Sequence, residues 1–270
     1  MVTSFMSSSE RLVGGWLPSP PKPSDYDFTS LLLPRLNLST TDIDLSSFCS
    51  EISDQKKSNS CVANATADAY ELCMALDGNQ IEQISRLQIY FNGRSRMSLD
   101  GITNMATIDS GMYVRSAFEA INIMGVCPES MWPFDLSKIN ERPSIAATWY
   151  ALKHKIAAYY AITEYPGQDQ YDAIVKALQG RHPVVFGFGV NDTFLNWDGS
   201  DVIPAMAPGD KIMGMHGIMA VGVINGDIKI RNSWGSGWGD NGYAIMSKDW
   251  FINGYCYEPW VPTSGVNLKP

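Results

Sequence analysis

The sequence predicts an α+β protein of two lobes, and three observations carry that reading. Helical spacing of apolar residues dominates the first half of the 270-residue chain. Short apolar runs suited to strands dominate the second half. The change falls near residue 180, and such segregation of helices from strands defines the class. With 45% hydrophobic and 18% charged residues, the composition is that of an ordinary folded protein with a substantial core. No internal repeat is evident. A site drawing on both halves belongs in the cleft between them.

Residues 1–45 read as an N-terminal arm, and 46–270 as the main domain, with a helical lobe over about 46–165 and a β-rich lobe over about 166–260. The stretch "LPSPPKPSDYDF" carries four prolines and cannot be helix. It is either a short propeptide able to fold over a cleft or a surface strap packed elsewhere. Core-type sequence starts near Phe48.

In 61–76, Cys61, Ala65, Ala69, Leu72, Cys73 and Leu76 follow helical spacing, with Ser60 as N-cap. Cys73 falls on the apolar face as a buried residue. A second helix is predicted over 83–92. A third spans Tyr113–Met124 and stops at Gly125, and a fourth covers about 169–179. "PVVFGFGV" has the character of a buried strand. "GIMAVGVI", Asn225-Gly226 and "IKIRNS" read as strand, turn and strand, and "GYAIMS" as a further strand.

Several classes are excluded. A net charge of −8, with basic residues only in pairs, argues against a phosphate-backbone binder and hence against nucleic acid as a partner. No segment has the ~18 apolar residues of a membrane span, and the first residues lack the pattern of a signal peptide. The five cysteines (49, 61, 73, 127 and 256) are odd in number and widely spaced, which disfavours a disulfide framework or a zinc site. Intracellular thiols follow as the expectation, in a cytoplasmic or virion-associated setting. The sequons at Asn37, Asn64 and Asn191 are read as chance.

A cysteine at a helix start suits chemistry, because the helix dipole and free N–H groups favour the thiolate. The chain offers three histidines as partners. His154 and His182 read as exposed or loop residues. His216 stands between glycines 214 and 217 at the head of an apolar strand. Taken alone such a histidine is more often a satisfied core residue, but the glycines allow close approach of other groups. An imidazole acting as a base needs its second nitrogen oriented. Asn232, sixteen residues on, can reach it across a hairpin. Trp234 would keep water from that contact, or be a plain core aromatic. Gln55 could fold back to the helix start as an oxyanion donor beside the Cys61 N–H.

Three segments together resemble the papain-like cysteine peptidases. Gln55-Lys56-Lys57-Ser58-Asn59-Ser60-Cys61 resembles their active-site entry, and "MHGIMAVG" from Met215 their histidine segment. "RNSWGSGWGDNGY" from Arg231 is very similar to their asparagine segment. The resemblance covers roughly 48–260. It extends to short-prosegment bacterial and viral-type members, through "GGWLPSPPKPSDYDF", "SCVANA", "DSGMYVRSAF" and "GVCPESMWPFD". It implies a helical left lobe, a β-barrel-like right lobe and an extended substrate across the cleft. Cys61 would be nucleophile, His216 its proton partner, Asn232 the orienting group, Gln55 an oxyanion donor and Trp234 a shield. Gly111 would pair with substrate backbone, and Met215 would border a substrate pocket.

The departures are Val62 for the usual tryptophan, Asn59 for a glycine, where it would narrow or polarise the first pocket, and Ser58 for a disulfide cysteine. The expectation is a monomeric endopeptidase acting on peptides or proteins, with no metal or organic cofactor, held latent by its arm. A catalytically silent peptide-binding scaffold, and a thiol acyl transferase or isopeptidase, remain as alternatives.

Overall fold

The helix begun by Cys61 is the axis of the molecule. In the computed structural model, which describes residues 12–35, 42–80, 82–101, 105–197, 199 and 201–263, elements follow in this order. First come α1 (Phe28–Leu31), β1 (Ile43–Asp44), α2 (Cys61–Leu76), α3 (Arg86–Met97), α4 (Val114–Met124) and α5 (Ile145–Ala151). Then come β2 (Ala158–Ala161), α6 (Gln168–Gln179), β3 (Val184–Val190), α7 (Asp192–Leu195), β4 (Gly214–Ile224), β5 (Asp227–Arg231), β6 (Tyr243–Met246), α8 (Asp249–Ile252) and β7 (Cys256–Thr263).

The strands form one antiparallel sheet in the order β2-β7-β3-β4-β5-β6, with β1 added against β4. Strand alternation divides two cores. Val184, Phe186, Phe188 and Val190 face α1, α6 and α8, whereas Val185, Met219, Val221 and Trp260 face α2 and α4. The barrel-like lobe expected from the resemblance is instead an open sheet, whose end strands β2 and β6 do not pair. Helices cover both faces, so the core needs no closure to be dry.

The expected turn Asn225-Gly226 joins β4 to β5 with both residues at positive φ, 52° and 83°, the type I′ geometry that matches strand twist. The second helix begins at Arg86 rather than 83 and runs on to Met97. Ser85 caps it by accepting from Gln88 N at 3.1 Å. Ser60 precedes α2 but makes no capping bond; its hydroxyl is held 2.7 Å from Ser58 Oγ and accepts from Asn64 Nδ2. Asn64 and Asn191 are buried, which leaves no room for a glycan; Asn37 lies outside the described residues. His154 stacks on Tyr150 after α5, and His182 follows α6 half-buried. The core begins earlier than Phe48, which is itself exposed: Phe28, Leu32 and Leu45 of the arm are buried. All five cysteines are free, with Cys73 buried as expected. Among the described residues no helix is long and apolar enough to cross a membrane.

The helix α2 is buried on every side from Cys61 to Cys73, including Asp68 and Glu71. Two buried carboxylates demand buried cations. Arg86 supplies one, 2.8 Å from both Asp68 and Glu71. Arg231, at the end of β5, supplies the other, 2.9 Å from Asp68. It also donates to the carbonyls of Ser50 and Glu51, at 2.8 and 2.7 Å. Two positive and two negative charges thus cancel between the lobes. Replacing Arg231 by Met leaves Asp68 and Glu71 sharing one cation, at an expected cost of about 3–5 kcal/mol in denaturant unfolding. Adding Asp68→Leu restores neutrality and should recover much of the loss; a double variant no more stable than Arg231→Met would refute the charge argument.

Candidate active site

Cys61 stands at the first turn of α2, its sulfur accepting from the Gly217 N–H of β4 at 3.3 Å. That approach needs small residues. A Cβ on Gly217 would come within 2.8 Å of Val62, so the departure at 62 is a packing partner of the histidine strand. His216, adjacent to Gly217, is buried, and its Nε2 lies 2.9 Å from Asn232 Oδ1. Since the amide oxygen can only accept, Nε2 carries the hydrogen, and Nδ1, without a partner among the described residues, is the nitrogen left for the thiol. Trp234 stacks on the imidazole with centroids 4.8 Å apart, and Phe188 meets its edge at 5.9 Å.

Gln55 is fixed rather than loose. Its backbone N–H donates to Ser233 O at 2.8 Å, and its Oε1 accepts from Ser233 Oγ at 2.7 Å. Its Nε2 gives one hydrogen to Ser58 O at 2.9 Å, which leaves the second N–H unspent. Ser233 thus links Gln55 to Asn232, a coupling that the sequence signalled only as adjacency. Asn59 does not float in the first pocket: its N–H and side chain both bind Asp109, whose carboxylate also accepts from Tyr90 at 2.6 Å. Asp109 and Tyr90 were not anticipated; they hold the loop that carries Gly111.

The arm lies in the cleft. Residues 13–17 run as a strand between the lobes, Gly14 bridging Met215 and Trp16 bridging Met112, both parallel. Met112, rather than Gly111, makes the backbone pairing: its N–H donates to Gly15 O at 2.9 Å and its carbonyl accepts from Leu17 N at 3.2 Å. Gly111 instead permits close approach, since a Cβ there would lie 2.6 Å from Gly15 O. Met215 lies beside the arm strand, bridged to Gly14. Gly15 passes over the thiol so closely that a Cβ on it would stand 2.7 Å from Cys61 Sγ and 2.3 Å from Asn59 O. Trp16 fills a pocket against Gly187 and Tyr257. The Gly14-Gly15 pair was the available signal: two adjacent glycines in a proline-rich arm mark a close backbone approach.

Covered in this way, Cys61 and His216 are both inaccessible. Burial pushes the thiol up to about 12, against which the Gly217 and Val62 N–H groups pull it down. Burial pushes the imidazole down to about 4, opposed by the Asn232 bond. With the arm seated, burial thus favours the neutral form of both groups. Among the described residues, no cluster of His, Cys, Asp and Glu is placed to hold a metal ion.

The family model for papain family cysteine proteases matches residues 39–257. An uncharacterized peptidase C1-like protein of Acanthamoeba polyphaga mimivirus is 34% identical over 201 residues, 72% of this chain and 63% of its own length. Digestive cysteine proteinase 3 of Homarus americanus is 24% identical over 78% of this chain and 62% of its own. The chain thus spans somewhat under two thirds of these relatives. Among solved structures, xylellain, a cysteine protease from Xylella fastidiosa, aligns with a TM-score of 0.78 at 26% identity, covering 98% of this chain and all of that one. The thiol at a helix start, the His216–Asn232 pair under a tryptophan and the family match lead to one conclusion: the chain belongs to the papain family of cysteine proteases.

Proposed function

We propose that this protein is a cysteine endopeptidase that hydrolyses peptide bonds in peptides or proteins, and that its own arm keeps it latent. The observation that carries the catalytic reading is the convergence of three elements. The α2 N-terminus brings the Cys61 sulfur beside β4, and the β4–β5 hairpin locks His216 to Asn232 at 2.9 Å. With the cleft open, Nδ1 of His216 takes the thiol proton, and the helix N-terminus stabilises the thiolate. The sulfur attacks the carbonyl carbon; the oxyanion is met by the Cys61 N–H and the spare Gln55 N–H. The C–N bond breaks as His216 passes its proton to the leaving amine. Water, deprotonated by His216, then cleaves the thioester and regenerates the thiol.

The departures at 59 and 62 do not oppose this reading. Val62 packs on Gly217 and the Asn59 side chain is tied to Asp109, so neither side chain takes the place of a reacting group. Cys61→Ala should lower hydrolysis of peptide reporters by about 10³-fold or more, and remove labelling by an epoxide thiol trap, with an unchanged circular dichroism spectrum. Retained turnover would sink the assignment. Mass analysis of the products separates hydrolysis from acyl transfer.

Support for latency is the Gly15 backbone over the sulfur. A truncation near residue 46 is a poor test, because it strips Phe28, Leu32 and Leu45 from the core. Gly15→Ala in the full chain is a cleaner one: its methyl group collides with Sγ and Asn59 O, so the strand must lift. Expected are a rise of about tenfold or more in peptide hydrolysis and in the rate of Cys61 alkylation by iodoacetamide. Equal rates in the parent chain and the variant would mean that the arm does not control access.

A further inference from the structure

No disulfide anchors the loop that delivers Cys61, since all five cysteines are free. A carboxylate holds it instead. Asp109 accepts the Asn59 N–H on both oxygens, at 3.0 and 3.2 Å, and its backbone carbonyl accepts from Asn59 Nδ2 at 2.9 Å. The hydroxyl of Tyr90, a buried residue of α3, donates to the same carboxylate at 2.6 Å and accepts from the Gly111 N–H at 2.9 Å. Burial holds the Tyr90 phenol well above its ordinary range, so it stays a donor. Arg94 lies 3.7 Å from the centre of that ring and donates to Ile108 O, next to Asp109, and to Asn140 Oδ1 at 2.8 Å. The carboxylate is therefore fixed from the helical lobe and fixes Asn59 in turn.

One peptide group carries this contact to the reacting centre. The described chain has no cis peptide bond, so the Ser58 carbonyl and the Asn59 N–H point opposite ways. Asp109 holds the N–H. The carbonyl accepts from Gln55 Nε2 at 2.9 Å. At the other end of that amide, Gln55 Oε1 accepts from Ser233 Oγ. The unspent Gln55 N–H has one fixed direction only while both ends are held.

We propose that Asp109 is a positioning residue for the Cys61 reaction, which sets the direction of the unspent Gln55 N–H through the Ser58–Asn59 peptide. This rests on the peptidase reading above, in which that N–H meets the oxyanion. A hydrogen bond to a carboxylate is about twice as strong as one between neutral groups. It also polarises the peptide it holds, which strengthens the Ser58 carbonyl as an acceptor. A donor aimed before charge develops costs no reorganisation during the reaction. The same Asn59 contact lies two residues before Cys61, whose N–H is the other oxyanion donor.

The test uses the full chain carrying Gly15→Ala as parent, and in it Asp109→Ala and Asp109→Asn, each with and without Gln55→Ala. The backbone bond from Asn59 Nδ2 to Asp109 O does not depend on the residue 109 side chain. Gln55→Ala should lower kcat for peptide reporters by about 10²-fold. Asp109→Ala should lower kcat by about tenfold with KM within about twofold, as expected of an interaction spent on the transition state. Asp109→Asn, which keeps an acceptor without the charge, should fall between the parent and Asp109→Ala. Added to Gln55→Ala, either change should cost less than about twofold more. Alkylation of Cys61 by iodoacetamide should not fall, because displacement at sulfur forms no oxyanion and the Asp109 charge disfavours the thiolate. Unchanged kcat in both Asp109 variants would overturn the proposal. So would a loss that persists in full without Gln55, or hydrolysis and alkylation falling together. Should Asp109→Ala fail to fold by circular dichroism, Asp109→Asn carries the same comparisons. No hydrolysis by the parent would overturn the peptidase reading and this one together.

Discussion

The buried charge cluster on α2 is the constraint from which the rest of the site follows. Asp68 and Glu71 cannot stay ionised inside the protein without Arg86 and Arg231, and each arginine arrives on a different element. Arg86 begins α3 in the helical half. Arg231 ends β5, one residue before Asn232. The same helix that carries these acids in its middle carries Cys61 at its start. Fixing Asp68 to Arg231 therefore fixes the distance between the sulfur and the Asn232 strand. Arg231 is completed by the carbonyls of Ser50 and Glu51, close before Gln55. One cluster thus sets Cys61, Asn232 and the Gln55 loop in a single frame.

Within that frame, the state of the thiol depends on what lies over it. The Cys61 sulfur has backbone N–H groups that favour the anion, yet burial outweighs them and pushes the thiol up to about 12. Burial likewise pushes the His216 imidazole down to about 4, against its bond to Asn232. With the arm covering both groups, the buried site favours their neutral forms.

Much of this was legible in the sequence. The α2 boundaries, the Asn225-Gly226 turn and the β4–β5 hairpin follow from periodicity and turn chemistry. That hairpin brings Asn232 to His216. What was hidden lies in tertiary pairing. The α2 stripe read as amphipathic, but a helix sandwiched between a sheet and other helices is buried all round, and its polar positions become an ion network. Ser60 has the residue type of a cap, yet its hydroxyl is claimed by Ser58 and Asn64. The strands β2 and β7 carry no clean alternation because their faces meet different cores.

The arm's backbone bonds fix how this chain lies across its own Cys61 thiol. The arm runs from Met215 at Gly14 to Met112 at Trp16, parallel to both. The Gly15 carbonyl accepts from the Met112 N–H at 2.9 Å. The Gln55 amide gives one hydrogen to Ser58 and keeps the other unspent beneath the arm. Two glycines let that strand approach closely enough to cover the site, where any side chain at 15 would collide with the sulfur and with Asn59 O.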